Sequence, residues 1–508
     1  MLKQTLLTLT IFAVTSLAIF QPAHALVNEV KLTASDAAMD DLFGHSVSIS
    51  DDYSVVGAIG DDDKGSRSGS AYVYKRSGTT WVEEAKLLPD DGAADDQFGI
   101  SVSIDGDYAV AGAFGDDDNG DFSGSAYVFK RSGTTWAQED KLLPTDGAAL
   151  DGFGNSVSIS GDYAIVGAEN DQDNGFASGS AYIFKRTGTT WVQEDKLLPT
   201  DGATLDRFGV SVSISGDYAI VGAIFHGDNG LESGSAYVFK RTGTTWVQED
   251  KLLHTDGAAG DQFGVSVSID GDYAVVGAYL NGDNGLESGS AYVFKRTGTT
   301  WLQEDKLLPT DAAEGDQFGR SVSISGDYVV VGAVFHDDNG TESGSAYLFK
   351  RSGTSWSQEA ILLASDGAAY DEFGLRVSIS GDYAVVGAQN HDDNGTESGS
   401  AYVYNGFTLP VGVESEIGGL PTEFTLSQNY PNPFNPVTVI GYALPIRSDV
   451  KLTIYNLRGE EVALLINGTV SAGNHRVIWD ASNMASGVYI YKLIAGDFVQ
   501  TRKMVLLK

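Results

Sequence analysis

Apolar and polar residues alternate in short bursts along most of the chain. In "FGVSVSISGDYAIVGAIFHGDNGLESGSAYVFKRTGTTWVQEDKLLHTDGAAGDQ" (residues 208–262), "SVSIS" alternates and ends at Gly216-Asp217, a two-residue turn. "YAIVGA" follows, then a nine-residue loop, then "SGSAYVFKR"; Gly243 makes another turn and "TTWVQEDKLL" completes the unit. These segments are rich in Val, Ile, Tyr, Phe and Trp and are separated by Gly and Asp, the pattern of four short strands joined by tight turns. No helical period runs through the unit.

The unit recurs. The Phe-Gly pair falls at Phe43, Phe98, Phe153, Phe208, Phe263, Phe318 and Phe373, with the same interval each time. A fixed period of about 50 residues marks a repeat architecture. Four antiparallel strands repeated seven times suit a β-propeller with one unit per blade. The seventh copy stops at "SAYVYNGF" (400–407) without its fourth strand, while "LVNEVKLTASDAAMDDLFG" (26–44) aligns without gaps on "WVQEDKLLHTDGAAGDQFG" (246–264). The N-terminal segment is therefore expected to complete the last blade, which removes an edge open to aggregation. A linear solenoid has no use for this permutation. "FG" followed about a dozen residues later by "VGA" resembles the FG-GAP repeat of integrin α-chains and bacterial surface proteins, and the resemblance implies a seven-bladed head over residues 26–406.

Charge and termini refine this picture. The 508 residues carry a formal charge of −37, with no cysteine. The acidity argues against nucleic acid or an anionic membrane as partner, and the absence of cysteine excludes disulfides and thiolate sites. "MLKQTLLTLTIFAVTSLAIFQPAHA" has Lys3, an apolar run and a small-x-small ending, so residues 1–25 read as a secretory signal cleaved between Ala25 and Leu26. No other segment is apolar and long enough to span a bilayer.

The aspartates fall at fixed places. Because strands alternate direction, the loop between the second and third strands shares a face with the loop joining successive blades. Asp63, Asp118, Asp173, Asp228, Asp283, Asp338 and Asp393 hold one position of the first loop; Asp41, Asp96, Asp151, Asp206, Asp261, Asp316 and Asp371 hold one position of the second. The opposite face carries hairpins such as Lys75-Arg76 and Lys240-Arg241. One rim is thus expected to be strongly acidic. The first set, with Asp171 in "DQDNG", is the candidate for calcium, which takes carboxylate oxygens from a tight Gly-containing turn; the second set is the candidate ligand face. Turn closure by Asp and Asn is the competing reading. The family resemblance implies a calcium loop between strands one and two, but that hairpin is only "SGDY" here, too short to wrap an ion. The Asp61 position becomes His226, His336 and His391 in three copies and Asn281 in another.

Seven nearly interchangeable blades offer no unique nucleophile, base or orienter, so no catalytic residue is assigned. Trp81, Trp136, Trp191, Trp246, Trp301 and Trp356 are expected to fill seams between blades, with sugar stacking as the alternative.

After a linker over 407–420 the composition changes: residues 421–508 hold six Asp/Glu and eight Lys/Arg. Alternating segments there read as a small Ig-like β-sandwich. "LSQNYPNPFNPVTVIGYALP", "LTIYNLRGEEV", "GNHRVIWDASNMASGVYIYKL" and "KMVLLK" resemble the type A C-terminal sorting domain of the type IX secretion system. That resemblance implies a Gram-negative bacterium, export across the outer membrane, and contact of residues 421–508 with the secretion machinery. The fold expected is all-β: a seven-bladed propeller closed by its N-terminal strand, then the sandwich. The function expected is adhesion or binding of an extracellular protein or glycan without catalysis. The alternatives are a calcium-bridged matrix component and a polysaccharide-active enzyme.

Overall fold

A computed structural model describes residues 28–407 and, in the tail, 424–429, 432, 437–470, 473–481, 484–496 and 498–507. The expected cleavage site at Ala25 and Leu26 and nearly all of the expected linker lie outside these residues. Two compact units are formed, Met1–Phe407 and Thr408–Lys508.

The first unit is seven four-stranded antiparallel sheets, six of them built in sequence order within 43–87, 98–142, 153–197, 208–252, 267–307 and 318–362. The seventh takes three strands from 377–405 and its outer strand from Asn28–Leu32, in the register Asn28↔Asn405 through Leu32↔Ala401. Among the described residues no helix is long and apolar enough to cross a membrane.

The recurring motif residues hold adjacent blades together. Phe208 is fully buried in the seam with Ile165, Ile183 and Leu197 of the preceding blade and Val221 and Tyr237 of its own. Its ring meets Tyr237 edge-on at 5.6 Å, the geometry favoured by the aromatic quadrupole. Gly209 adopts φ +92°, accessible at low cost only to glycine, and its carbonyl lies where a Cβ on Gly167 of the neighbouring blade would stand, 2.0 Å away. The glycines of "FG" and "VGA" are thus two halves of one close backbone contact, closed by Ser156 Oγ donating to Gly209 O at 2.8 Å.

The tryptophans pack between blades. Trp136 is 8% exposed and edge-on to Tyr53 of the preceding blade at 6.0 Å; Trp81 meets Tyr383 of the last blade at 6.1 Å in the same way. With so little ring surface open, they are seam residues and offer no stacking platform.

The second unit is a sandwich of a three-stranded sheet (Thr425–Leu426, Val437–Leu444, Gly473–Asp480) and a four-stranded sheet (Ser448–Asn456, Glu461–Val470, Gly487–Ala495, Phe498–Leu506). Leu444, Leu452, Ile454, Tyr491, Leu493 and Met504 form its core.

Candidate functional site

The acidic loops of one blade meet around a lysine that offsets part of their charge. In the second blade, Lys141 Nζ donates to Asp91 at 2.8 Å and Asp116 at 3.0 Å, and lies 2.6 Å from Asp118. The ammonium also sits 5.0 Å from the centroid of the Tyr127 ring, whose hydroxyl donates to Asp116 at 2.8 Å and Asp91 at 3.0 Å. A half-buried cation among three carboxylates and an aromatic face is a self-contained ion cluster.

The same arrangement recurs around the ring. Lys86 holds Asp36, Asp61 and Asp63; Lys196 holds Asp146, Asp171 and Asp173. Lys251 holds Asp201 and Asp228, and Lys306 holds Asp256 and Asp283. The seventh cluster, Asp366 and Asp393, receives Lys31 from the N-terminal strand. Six of the loop aspartates read as calcium candidates, and Asp171 with them, therefore face a lysine Nζ. Asp338 alone does not; its neighbour is His336, with Nδ1 at 3.4 Å.

The loop itself is a turn. Asp116 Oδ1 accepts from Asp118 N at 3.1 Å, Ser123 Oγ accepts from Asn119 N at 3.0 Å, and Gly120 takes φ +115°. The second aspartate set is placed inward. Asp41, Asp96, Asp151, Asp206, Asp261, Asp316 and Asp371 are 4–7% exposed, and each accepts the backbone N–H three residues earlier, as Asp96 does from Ala93 at 2.7 Å. These seven carboxylates brace the blade-to-blade turn and do not face outward, so the ligand-face reading is not how the structure positions them.

This gives the stability a definite pH dependence. Burial, which outweighs the hydrogen bond from the turn N–H, pushes Asp41 and Asp96 up to about 6 from 3.8. Between about pH 4 and 6 the folded chain therefore binds protons that the unfolded chain does not, and stability should rise as pH falls from 7 towards 4. For Asp36 and Asp91, burial raises the pKa, but hydrogen bonds from Lys86 and Lys141 and from the tyrosines more than offset it. Their contribution is lost only as pH falls below 3.8. Thermal melting should show a maximum between these limits, and Asp96→Asn should flatten its neutral side; a melting temperature highest at pH 8 contradicts the assignment.

Residue-type spacing missed the lysines, although they recur in "DKLL" and "AKLL" at a constant offset after the Asp61 position. It also missed the loop tips, where the copies differ most. The dipeptide is Ser66-Arg67 in the first blade, then Asp121-Phe122, Phe176-Ala177, Leu231-Glu232, Leu286-Glu287, Thr341-Glu342 and Thr396-Glu397. Phe176, Leu231 and Leu286 are 64%, 78% and 69% exposed. Leu205 N donates to Phe176 O at 2.8 Å, placing the two exposed side chains on adjoining loops of the same face.

A cavity of about 390 Å³ lies among first-strand residues of all seven blades, including Ser46, Ser101, Ser156, Ser211, Ser266 and Ser321. Arg376 stands where the others have serine, and Arg320 shares the lining. Burial, followed by the charge of Arg376, depresses His45 to about 4, so it is neutral near pH 7.

Comparison with known proteins follows the same division. The FG-GAP repeat model matches residues 26–74, 81–129, 136–184, 191–239, 246–294, 301–349 and 356–404. The secretion system C-terminal sorting domain matches residues 428–507. Among solved structures, PorZ, an essential surface component of the type IX secretion system of Porphyromonas gingivalis, is similar at 13% identity and a TM-score of 0.35, over 91% of this chain. The match spans 65% of the PorZ chain. The β-propeller domain of the Trilobed protease from Pyrococcus furiosus is similar at 10% identity and 0.37, over 67% of this chain and 90% of that one. The acylaminoacyl peptidase of Pyrococcus horikoshii gives 9% and 0.40, over 78% and 56%. No curated protein matches the sequence.

Proposed function

The chain belongs to the FG-GAP repeat family and ends in a type IX secretion sorting domain that directs it to the cell surface or the medium; from this premise we propose that the propeller is a non-catalytic binding module that engages a protein partner through its loop face. The observation that carries the reading is a strained apolar arc. Leu150, Leu205 and Tyr370 take φ +72°, +71° and +72°, at a position held by Gly260 and Gly315 or by Asp40 and Asp95 in the other blades. Gly and Asp tolerate the left-handed region; a bulky residue there costs about 1–2 kcal/mol.

Burial does not compensate that cost, because the three side chains are 57%, 50% and 59% exposed. Strain held at an exposed, variable loop position is characteristic of recognition surfaces. Together with Phe176, Leu231 and Leu286 the leucines give an apolar arc flanked by carboxylates, suited to a protein surface with apolar anchors and basic neighbours. The loop carboxylates, mostly held by lysine, have no differentiated acid and base pair, which supports binding over catalysis.

The test uses Leu150→Gly/Leu205→Gly in the full chain. Relief of strain and the added freedom of glycine nearly cancel, so the melting temperature should stay the same or rise, each site changing by about 1 kcal/mol or less. Wild-type and variant chains are immobilised and exposed to envelope proteins of bacteria carrying this secretion system, and to a glycan array. A protein partner retained by the wild type and lost by the stable variant is expected. Equal retention by both chains removes the arc from the function, and retention of glycan alone replaces the protein partner with a carbohydrate.

A further inference from the structure

The sixth blade departs from its neighbours at one place. Ile361 stands where the other copies have Lys31, Lys86, Lys141, Lys196, Lys251 and Lys306. It pairs across the sheet with Tyr347, as Lys86 pairs with Tyr72. The preceding residue, aspartate in four other blades, is Ala360. The sixth cluster thus keeps its acids and loses its ammonium. Among the described residues no lysine or arginine is ion-paired with Asp311, Asp316 or Asp338.

His336 occupies the middle of this cluster. It is 8% exposed, with Nδ1 at 3.4 Å from Asp338 and Nε2 at 3.9 Å from Asp316. One ring nitrogen and one oxygen from each of Asp311 and Asp338 lie within 4.8 Å of one another. Tetrahedral ligands of zinc, about 2.0–2.2 Å from the ion, stand roughly 3.4 Å apart. The His336–Asp338 spacing already meets that figure. One oxygen of the exposed Asp311 carboxylate, within 4.8 Å of the other two ligand atoms, needs to move inward by about an ångström to meet it.

A second observation concerns Tyr347. The Tyr347 hydroxyl is fully buried and lacks the hydrogen bond of normal length and angle that its counterparts make; only a weaker interaction with Asp311 remains. It feels Asp311 and Asp338 as charged neighbours, and its ring lies edge-on to His336 at 6.0 Å. In other blades the equivalent tyrosine bonds a cluster carboxylate, as Tyr402 does Asp366 at 2.8 Å and Tyr182 does Asp171 at 2.9 Å. Losing a partner altogether costs a buried hydroxyl about 1–3 kcal/mol, and the poor pairing of Tyr347 beside two carboxylates and an imidazole forfeits part of that.

We propose that Asp311, His336 and Asp338 of the sixth blade bind one divalent first-row transition ion, such as zinc, in the place that lysine Nζ takes in the other blades. Imidazole with two carboxylates is a nitrogen–oxygen donor set suited to zinc and its neighbours and poorly suited to calcium, which takes six to eight oxygens. Tyr347 would hydrogen-bond a ligating carboxylate or a metal-bound water as an outer partner. The ion restores the charge balance and anchors the loop from Asp337 to Glu342. The inference is independent of the binding reading, since no partner has to be present for the ion to bind.

The experiment titrates the untagged full chain with zinc alone by calorimetry and with cobalt(II) alone by visible absorption. One ion per chain is expected, undisturbed by millimolar calcium. Ile361→Lys restores the arrangement of the other blades; it should keep the melting temperature and weaken zinc binding by about tenfold or more, as should His336→Gln. Lys251→Ile, which frees Asp201, His226 and Asp228 in the fourth blade, should add a second ion. Absence of zinc binding by the wild type, binding of calcium in its place, or a zinc affinity unchanged in Ile361→Lys overturns the proposal.

Discussion

A chain that begins at Ser35 should fail to form a stable propeller and should associate with itself. The strand Asn28–Leu32 is the outer strand of the seventh sheet, and among the described residues no other segment pairs with that side of Ser400–Asn405. Leu32 and Ala34, 2% and 5% exposed, pack with Phe43, Val385 and Val403. Glu29 accepts from Ser365 N and Oγ at 3.1 and 2.6 Å, and Lys31 is the cation of the Asp366–Asp393 cluster. Losing the strand exposes this apolar surface, leaves a partly buried acidic pair without its cation, and opens the edge of Ser400–Asn405. Burial of Leu32 alone is worth about 2–3 kcal/mol, and the sum should reach at least about 5 kcal/mol, the lower end of a whole domain's stability. Calorimetry should show the main transition lowered and broadened, and gel filtration should show oligomers. Lys31→Met separates the charge from the strand: it should lower the melting temperature by less and leave a monomer. A truncated chain that melts like the full one would mean that the outer strand carries no share of the ring's stability.

The propeller was legible because its determinants are local and repeated. A constant interval between Phe-Gly pairs, four alternating segments per interval and turn residues between them specify the blade before any contact is known. The ion clusters were not legible, because they depend on register. The six outer strands that follow a hairpin drop one residue from pairing, as between Val73 and Tyr74, which sets Lys86 opposite Tyr72 and beside Asp61; Asn28–Leu32 has no hairpin before it and sets Lys31 opposite Tyr402 without a bulge. Counting acids along a loop shows the anions and hides a cation that arrives from the outer strand, two turns further along the chain. Reading Asp41 and its equivalents as outward-facing failed for a related reason: an aspartate three residues after a turn N–H reads alike whether it braces the turn or faces solvent, and burial decides. Ile361 lay in plain view as a departure from "DKLL", but it acquires meaning only once the role of lysine is known.

Gly167→Ala should be among the most damaging single substitutions in the ring, although it adds one methyl group. The residue has ordinary strand geometry, and alanine would suit its backbone; the obstacle is the next blade. An added Cβ would stand 2.0 Å from Gly209 O and 3.0 Å from its carbon, and both atoms are backbone that cannot rotate aside. Gly209 cannot retreat either, because its own Cα faces Ser180 O and its carbonyl accepts from Ser156 Oγ. The blades must therefore separate along the seam filled by Phe208, so that one methyl group costs packing over a whole interface. Overpacking of this kind costs about 3 kcal/mol or more. Gly161→Ala in the same blade is the internal control. Gly161 has φ +58° in the first hairpin with nothing within 4 Å of its virtual Cβ, so only backbone strain applies, about 1 kcal/mol. Denaturant unfolding of the two variants should rank them in that order by a clear margin. Equal losses would place the cost in backbone conformation, and the paired glycines would then not be what holds neighbouring blades at their spacing.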